Sequence, residues 1–230
     1  MKAKRTRKQK RGGGIAKPAR TPKKSEIKRR RIMDAAAKVF RMRGYAEATL
    51  SEIAAMAGTQ AGSLYYHFDS REHLVEEVLA NSMIVLNEQV TTALAALPPD
   101  ASVRVRIETT IRTHIRCILA LDDYHTAYTK IIDQVPADVR ERFLVFPRSY
   151  AKFWDNLLRE ARDQGDIRAD LDQRLVRLLL IGAITWSLEW YDPNGPHTPD
   201  TIADHVIQIF FDGLRPAKTR RAMRRSNRIN

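Results

Sequence analysis

Cysteine is nearly absent from this 230-residue chain. Cys117 stands alone, so no disulfide can form within one copy, and the expected setting is a reducing cytoplasm. Long apolar runs are absent as well. The longest, Leu178 to Leu188, is broken by Gly182 and Thr185 and is far short of the roughly 18 residues of a membrane span. No apolar stretch follows the basic N-terminus, so a targeting peptide is not expected. Strand-like alternation, internal repeats, Gly-rich phosphate loops, paired cysteines and His-x-x-x-His spacings are all missing. His114 and His125 lie on separate elements and read as pocket or structural histidines, and Asp122-Asp123 reads as a helix-joining turn. The expectation is therefore no metal, no cofactor, no membrane and no catalytic centre.

Charge is present in excess but unevenly. The formal net charge is +13. Residues 1 to 31 hold 15 Lys and Arg against one Glu, and residues 215 to 230 hold seven Lys and Arg and no acid. The stretch between is acidic, with 18 basic and 26 acidic residues. Residues 1–25 and 215–230 thus read as disordered basic tails with nothing to bury. A DNA arm that neutralises phosphates or enters the minor groove fits the first tail, and a solvated polycation fits it also.

Residues 49 to 68 carry the most information. Thr49 and Glu52 have capping-box spacing. Leu50, Ile53, Ala54 and Ala57 make one apolar face, and Gly58 sits where that helix must stop. Gln60 to His67 read as a second helix, anchored by Leu64 and Phe68 four residues apart. Its other groups are small, polar or aromatic, as a helix entering a major groove requires. Gln60 suits adenine, Ser63 can pair with several bases, and Ala61 can meet a thymine methyl. Tyr65 lies on the same outward side, Thr49 and Thr59 flank it, and Tyr66, His67 and Arg71 are placed to donate to phosphates.

Thr49-x-x-Glu52-Ile53-Ala54-x-x-Ala57-Gly58, then Gly62-Ser63-Leu64-Tyr65-Tyr66-His67-Phe68, then Ser70-Arg71-Glu72-x-Leu74 resembles the TetR family of bacterial transcriptional regulators over about residues 26 to 80. Thr59 departs from the usual apolar residue, Ala61 from a common Lys and Asp69 from a frequent Pro, so the operator cannot be copied from relatives. The resemblance implies an N-terminal helix-turn-helix and a divergent helical domain that dimerises and holds an effector. Trp186-x-x-x-Trp190-Tyr191-x-Pro193-x-Gly195-Pro196-x-Thr198 is similar to a subgroup of actinobacterial regulators of steroid and lipid catabolism, some of which answer to CoA thioesters.

The rest of the chain reads as helices. The first spans Lys24 to Arg43 and stops at Gly44; a long one spans Arg71 to Ala96 and joins the two domains as a transmission rod. Asp100 or Ser102 caps a helix through Leu121, and Tyr124 to Val135 is another. Ala137 to Gln164 is interrupted or kinked near Pro147, residues 172 to 190 form a strongly apolar helix, and Thr198-Pro199 starts the last. The fold class is all-α with about nine helices: a three-helix DNA-binding domain over 26–70 and a larger helical effector-binding and dimerisation domain over 71–214. Candidate effector contacts are His114, Ile118, Tyr128, Ile131, Tyr150, Trp154 and Trp186. Candidate dimer contacts are Leu175, Leu178, Ile181, Trp186, Ile202, Val206, Ile209 and Phe210, which two protomers would pack as a four-helix bundle.

These features point to a ligand-responsive regulator, expected to be a cytoplasmic, nucleoid-associated repressor that holds a palindromic double-stranded operator as a homodimer and is released by a small apolar or amphipathic effector such as an acyl-CoA thioester. The alternative class is a basic protein that organises nucleic acid without sequence preference. An enzyme would need a nucleophile or metal constellation that the sequence does not display.

Overall fold

A computed structural model describes residues 23–120 and 122–214. The two basic tails lie outside the described residues, except for Lys23, which caps the first helix, and Lys24 and Ser25, which belong to it. The described chain forms nine α-helices: α1 (Lys24–Glu47), α2 (Leu50–Met56), α3 (Arg71–Ala95), α4 (Val103–Leu119), α5 (Asp123–Ile131), α6 (Ala137–Phe143), α7 (Val145–Asp163), α8 (Gln173–Trp190) and α9 (Pro199–Leu214). No strand occurs among the described residues, and no described helix is long and apolar enough to cross a membrane.

Local chemistry sets the boundaries. Thr49, Ser70, Ser102, Asp122 and Asp172 each accept a backbone N–H in the first turn of the helix that follows. Ser102, not Asp100, is the cap of α4. Pro199 occupies the first position of α9, where its missing N–H costs nothing. Gly44 has φ +77° and breaks α1 into the expected long helix and one further turn.

Two expectations need correction, and the expected interruption near Pro147 takes a finer position. Glu52 does not complete the capping box: its carboxylate accepts from Arg43 Nε at 3.2 Å instead of from the cap amide. The break in the 137–164 stretch falls at Leu144, and Pro147 sits in the first turn of α7, where its N–H has no intrahelical carbonyl to lose. Residues 60–67 are not a full α-helix. Ala61–Ser63 form a 3-10 turn, and Leu64 then closes a second turn through His67 and Phe68. Gly62, Ser63, Tyr65 and Tyr66 are weak helix formers, and two anchors are too few to offset nucleation.

Two cores organise the helices. The first joins α1, α2 and the first turns of α3 to Tyr124, Ala127, Ile131, Val139 and Phe143 of α5 and α6. The DNA-binding head therefore does not close on itself at residue 70; α5 and α6 complete its core. The second core gathers α4, α7, α8 and α9 around Trp154, Ile107 and Phe211, with Leu86 and Val90 from the far half of α3. Helix α3 spans both.

Candidate functional site

The outer tip of the head is built by a Schellman turn. Gly58, at φ +63°, donates to Ala55 O at 3.1 Å, and Thr59 donates to Ala54 O at 2.9 Å. Arg31 locks the turn by donating to Ala57 O at 2.8 Å. Leu64 and Phe68 are buried as anchors, which leaves Tyr65 and Tyr66 59% and 82% exposed. Thr49 and Gln60 are exposed, while Thr59, Ala61, Ser63 and His67 are half-buried on the same tip. The pKa of the His67 imidazole is lowered, first by slight desolvation and then by the nearby charges of Lys28 and Arg29. Arg71 differs from its expected role. Its guanidinium donates to the carbonyls of Tyr45 and Ala48 and lies 4.0 Å over the Tyr45 ring, which pins α3 to the α1–α2 junction instead of facing a phosphate.

Behind the head lies a cavity of about 630 Å³ between α3, α4, α5, α7 and α8. Of the expected effector contacts, His114, Ile118, Tyr128, Tyr150 and Trp186 line it. Ile131 and Trp154 do not. Ile131 is fully buried in the first core, one helical step from Ile132, which does line the cavity; Trp154 is fully buried in the second core. Sequence reading missed the wall supplied by Ser82, Met83 and Leu86 of α3, together with His125 and Arg177. Their signal was only that α3 remains apolar on two sides.

A buried polar chain runs along the inner wall. His125 Nδ1 lies 3.1 Å from Asp122 Oδ2, and its Nε2 lies 3.8 Å from Cys117 Sγ. The grouping has the order of a catalytic triad, but the thiol is 2% exposed and does not line the cavity. It ties the start of α5 to α4. Burial opposes charge on His125, yet its hydrogen bonds to Asp122 and Cys117 prevail and raise it to about 9. His114 is pushed down to about 3, first by burial and then by the neighbouring His125 charge.

These two imidazoles shape stability in opposite directions. Below pH 6.5 the unfolded chain takes up a proton that folded His114 refuses, so stability falls as pH drops toward 3. His125 stabilises fully below 6.5 and loses that contribution as pH rises through 9. The pair alone therefore places maximum stability near pH 6.5, with limiting slopes of about 1.4 kcal/mol per pH unit from each group. Urea unfolding at a series of pH values should show His114→Gln flattening the acid limb and His125→Asn flattening the alkaline one. Unchanged limbs would refute the assignment.

The last surface is on α8 and α9. Leu175, Leu178, Leu179, Trp186, Trp190 and Ile209 are 48–74% exposed. Ile181, Val206 and Phe210 are half-buried beside them, and Ile181 also lines the cavity. Ile202 is a correction: it is 7% exposed and sits in the second core with Ala203, Ile207 and Phe211, because this side of α9 packs on α4.

A helix-turn-helix head fused to a helical body with an internal cavity defines a ligand-responsive DNA-binding transcriptional regulator. The chain belongs to the TetR family of bacterial regulatory proteins: residues 32–78 match the family's N-terminal model, and residues 100–214 match a tetracyclin repressor-like C-terminal domain. It is 31% identical over 191 residues to the HTH-type transcriptional repressor KstR2 of Rhodococcus jostii, covering 81% of this chain and 91% of that protein. It is 29% identical over 200 residues to KstR2 of Mycolicibacterium smegmatis, covering 84% and 94%. Among solved structures, AibR in complex with isovaleryl coenzyme A and operator DNA superposes with a TM-score of 0.71 at 23% identity, covering 80% of this chain and 98% of that one. These relatives support the subgroup indicated by the Trp186–Thr198 segment, and none supports a sequence-non-specific organiser. In that segment Asp192 accepts from Asn194 N at 2.9 Å, Gly195 closes the turn onto Asp192 O, and Thr198 accepts from Thr201 N at the head of α9.

Proposed function

We propose that this protein represses transcription as a homodimer on a palindromic operator in the bacterial cytoplasm, and that an acyl-CoA thioester entering the cavity releases it. The observation that carries this reading is the double duty of α5. Tyr124, Ala127 and Ile131 face the head, while His125, Tyr128, Thr129 and Ile132 face the cavity. An occupant thus presses on the same nine-residue helix that completes the head's core. The lining supports an amphipathic effector: Met83, Leu86, Ile118, Ile132, Ile181 and Leu188 offer apolar contact. Thr129, Thr185 and Glu189 are exposed and mark the mouth, through which a polar nucleotide could remain in water. Two of its relatives, a KstR2 repressor and a regulator bound to isovaleryl coenzyme A, support the same class.

In this reading α5 carries the transmission, in place of the α3 rod expected from the sequence. The α3 helix runs straight through both cores, whereas α5 is short and holds α1 by side chains. Tyr124 donates to Asp34 at 2.7 Å, Lys130 donates to Arg41 O and Met42 O at 3.0 Å each, and Gln134 just beyond α5 accepts from Tyr45 N at 2.9 Å. Arg41 pairs with Asp123 at 2.7 Å.

Selection of binding sites from random duplex DNA tests the first half, and should return a two-fold symmetric sequence preferred over random DNA by roughly 10³ or more. Gln60→Ala with Tyr65→Ala should cut that preference to near tenfold while salt-sensitive weak binding survives. Adding decanoyl-CoA to the operator complex should then weaken it by roughly 5–150-fold, and free decanoate should not. An asymmetric or absent consensus would sink the dimeric reading; indifference to every acyl-CoA would sink the effector class.

A further inference from the structure

We infer that the effector carries an uncharged hydrogen-bond acceptor, a ketone or equivalent carbonyl oxygen, in the part that reaches the inner wall of the cavity, where His114 and Tyr150 together hold one spare proton for it. This rests on the cavity being the effector site and goes beyond it by specifying a functional group.

The case is a count of protons. Both side chains line the cavity and are nearly sealed from bulk water, at 3% and 4% exposure. Tyr150 Oη lies 3.2 Å from His114 Nδ1; its other polar neighbour is the Trp154 indole, whose N–H can only donate toward the phenol oxygen and so uses none of the pair's protons. A neutral imidazole carries one N–H and a phenol one O–H, so the pair owns two protons and spends one between its members. Which tautomer is present does not matter. If Tyr150 donates, Nε2–H is left over; if His114 donates, the phenol O–H is left over. Burial and the His125 charge keep His114 neutral, so no third proton arrives near neutral pH. A buried donor without a partner costs roughly 1–3 kcal/mol, and a ligand acceptor removes that cost.

The Tyr128 phenol, half-buried on α5, is one further neutral donor, and Trp186 and Glu189 are exposed; the remaining polar side chains of the cavity are already engaged. Ser82 donates to Leu79 O at 2.7 Å, Thr129 to Thr126 O at 3.0 Å and Thr185 to Ile181 O at 2.9 Å. Both ring nitrogens of His125 face Asp122 and Cys117, and Arg177 Nε pairs with Asp155 at 2.7 Å. Both nearby cations thus have a carboxylate each. A buried ligand carboxylate would meet only neutral donors and no free counter-charge, which disfavours it strongly. A plain alkyl chain would leave the spare proton unmet. A ketone oxygen satisfies it and brings no charge.

The test compares three CoA thioester series with acyl chains of six to twelve carbons: plain acyl, (ω−1)-oxoacyl and ω-carboxyacyl. Calorimetric titration of the full chain should find, at the length that reaches the wall, the oxo probe about tenfold tighter than the plain one and the carboxy probe weaker than both. In His114→Leu with Tyr150→Phe the ratio of oxo to plain affinity, measured within that variant, should fall below about twofold. The comparison on the unmodified protein stands even if that variant does not fold. The inference is overturned if no oxo probe exceeds its plain counterpart, if the preference persists in the double variant, or if the carboxy probe binds tightest. In those cases the cavity reading stands, since plain thioesters still bind. If no thioester of any series binds, the effector reading falls and takes this inference with it.

Discussion

A chain carrying Leu179→Glu and Ile209→Glu should sediment as a monomer and bind the operator at least a hundredfold more weakly than the unaltered protein. The two positions are each 74% exposed in a single copy, so neither substitution removes internal packing and the fold should survive. What changes is the cost of association. Leu175, Leu179, Gly182, Ala183, Trp186 and Trp190 recur along one side of α8, and Gly182 and Ala183 would let a second α8 approach closely. A carboxylate placed in that seam from each partner would be buried without a cation, which a dimer cannot tolerate. Operator affinity follows because two heads on one duplex gain about 10²–10⁴ through effective concentration, and a monomer forfeits all of it. Val145→Glu, 59% exposed on α7 outside this row, is the control and should change neither property. Sedimentation velocity together with operator titration reads both. A dimer that persists with full operator affinity would place the interface elsewhere.

The same row shows what a sequence can and cannot disclose. Exposed Leu178, Trp186 and Ile209 were legible because apolar residues filled more of α8 and α9 than one buried stripe can use. Ile202 lies seven residues before Ile209 and nearly on the same azimuth, yet it is buried. Helical spacing gives the angle around an axis and not what covers a given turn of it. The head was read more fully. Gly58, Leu64 and Phe68 do there what their types demand, since a left-handed turn and two apolar anchors are local matters. The 3-10 form of residues 61–63 depended on a balance of weak propensities that no motif displays. At the cavity, Ile131 and Ile132 differ by one helical step of about 100°, and α5 is apolar toward both the head and the cavity. Periodicity could not choose between them, and so it also concealed α5 as the element shared by the two sites.

That sharing leads to the second large effect: Lys130→Ala with Gln134→Ala should leave operator binding near normal but largely remove release by acyl-CoA. Neither side chain lines the cavity, so effector affinity for the free protein should be unchanged. Neither lies on the outer tip with Gln60 and Tyr65. What they hold is the end of α1. Lys130 covers the carbonyls of Arg41 and Met42, and Gln134 accepts the Tyr45 amide just past the Gly44 break, bracing itself on Lys130 O at 2.8 Å. The native conformation at Gly44 leaves these backbone groups outside the helical ladder, so α5 is their partner. When an occupant displaces α5, these bonds transmit the displacement to α1 and through it to the reading tip. Without them each exposed bond costs roughly 1 kcal/mol of stability, and the two sites lose their shared element. The operator–effector coupling should fall from roughly 5–150-fold to below about threefold. Reciprocity supplies the check: in the unaltered protein, operator DNA must weaken acyl-CoA binding by the same factor by which acyl-CoA weakens operator binding, and in the variant both factors must shrink together. A variant that still releases its operator normally would return the transmission role to α3, which runs through both cores.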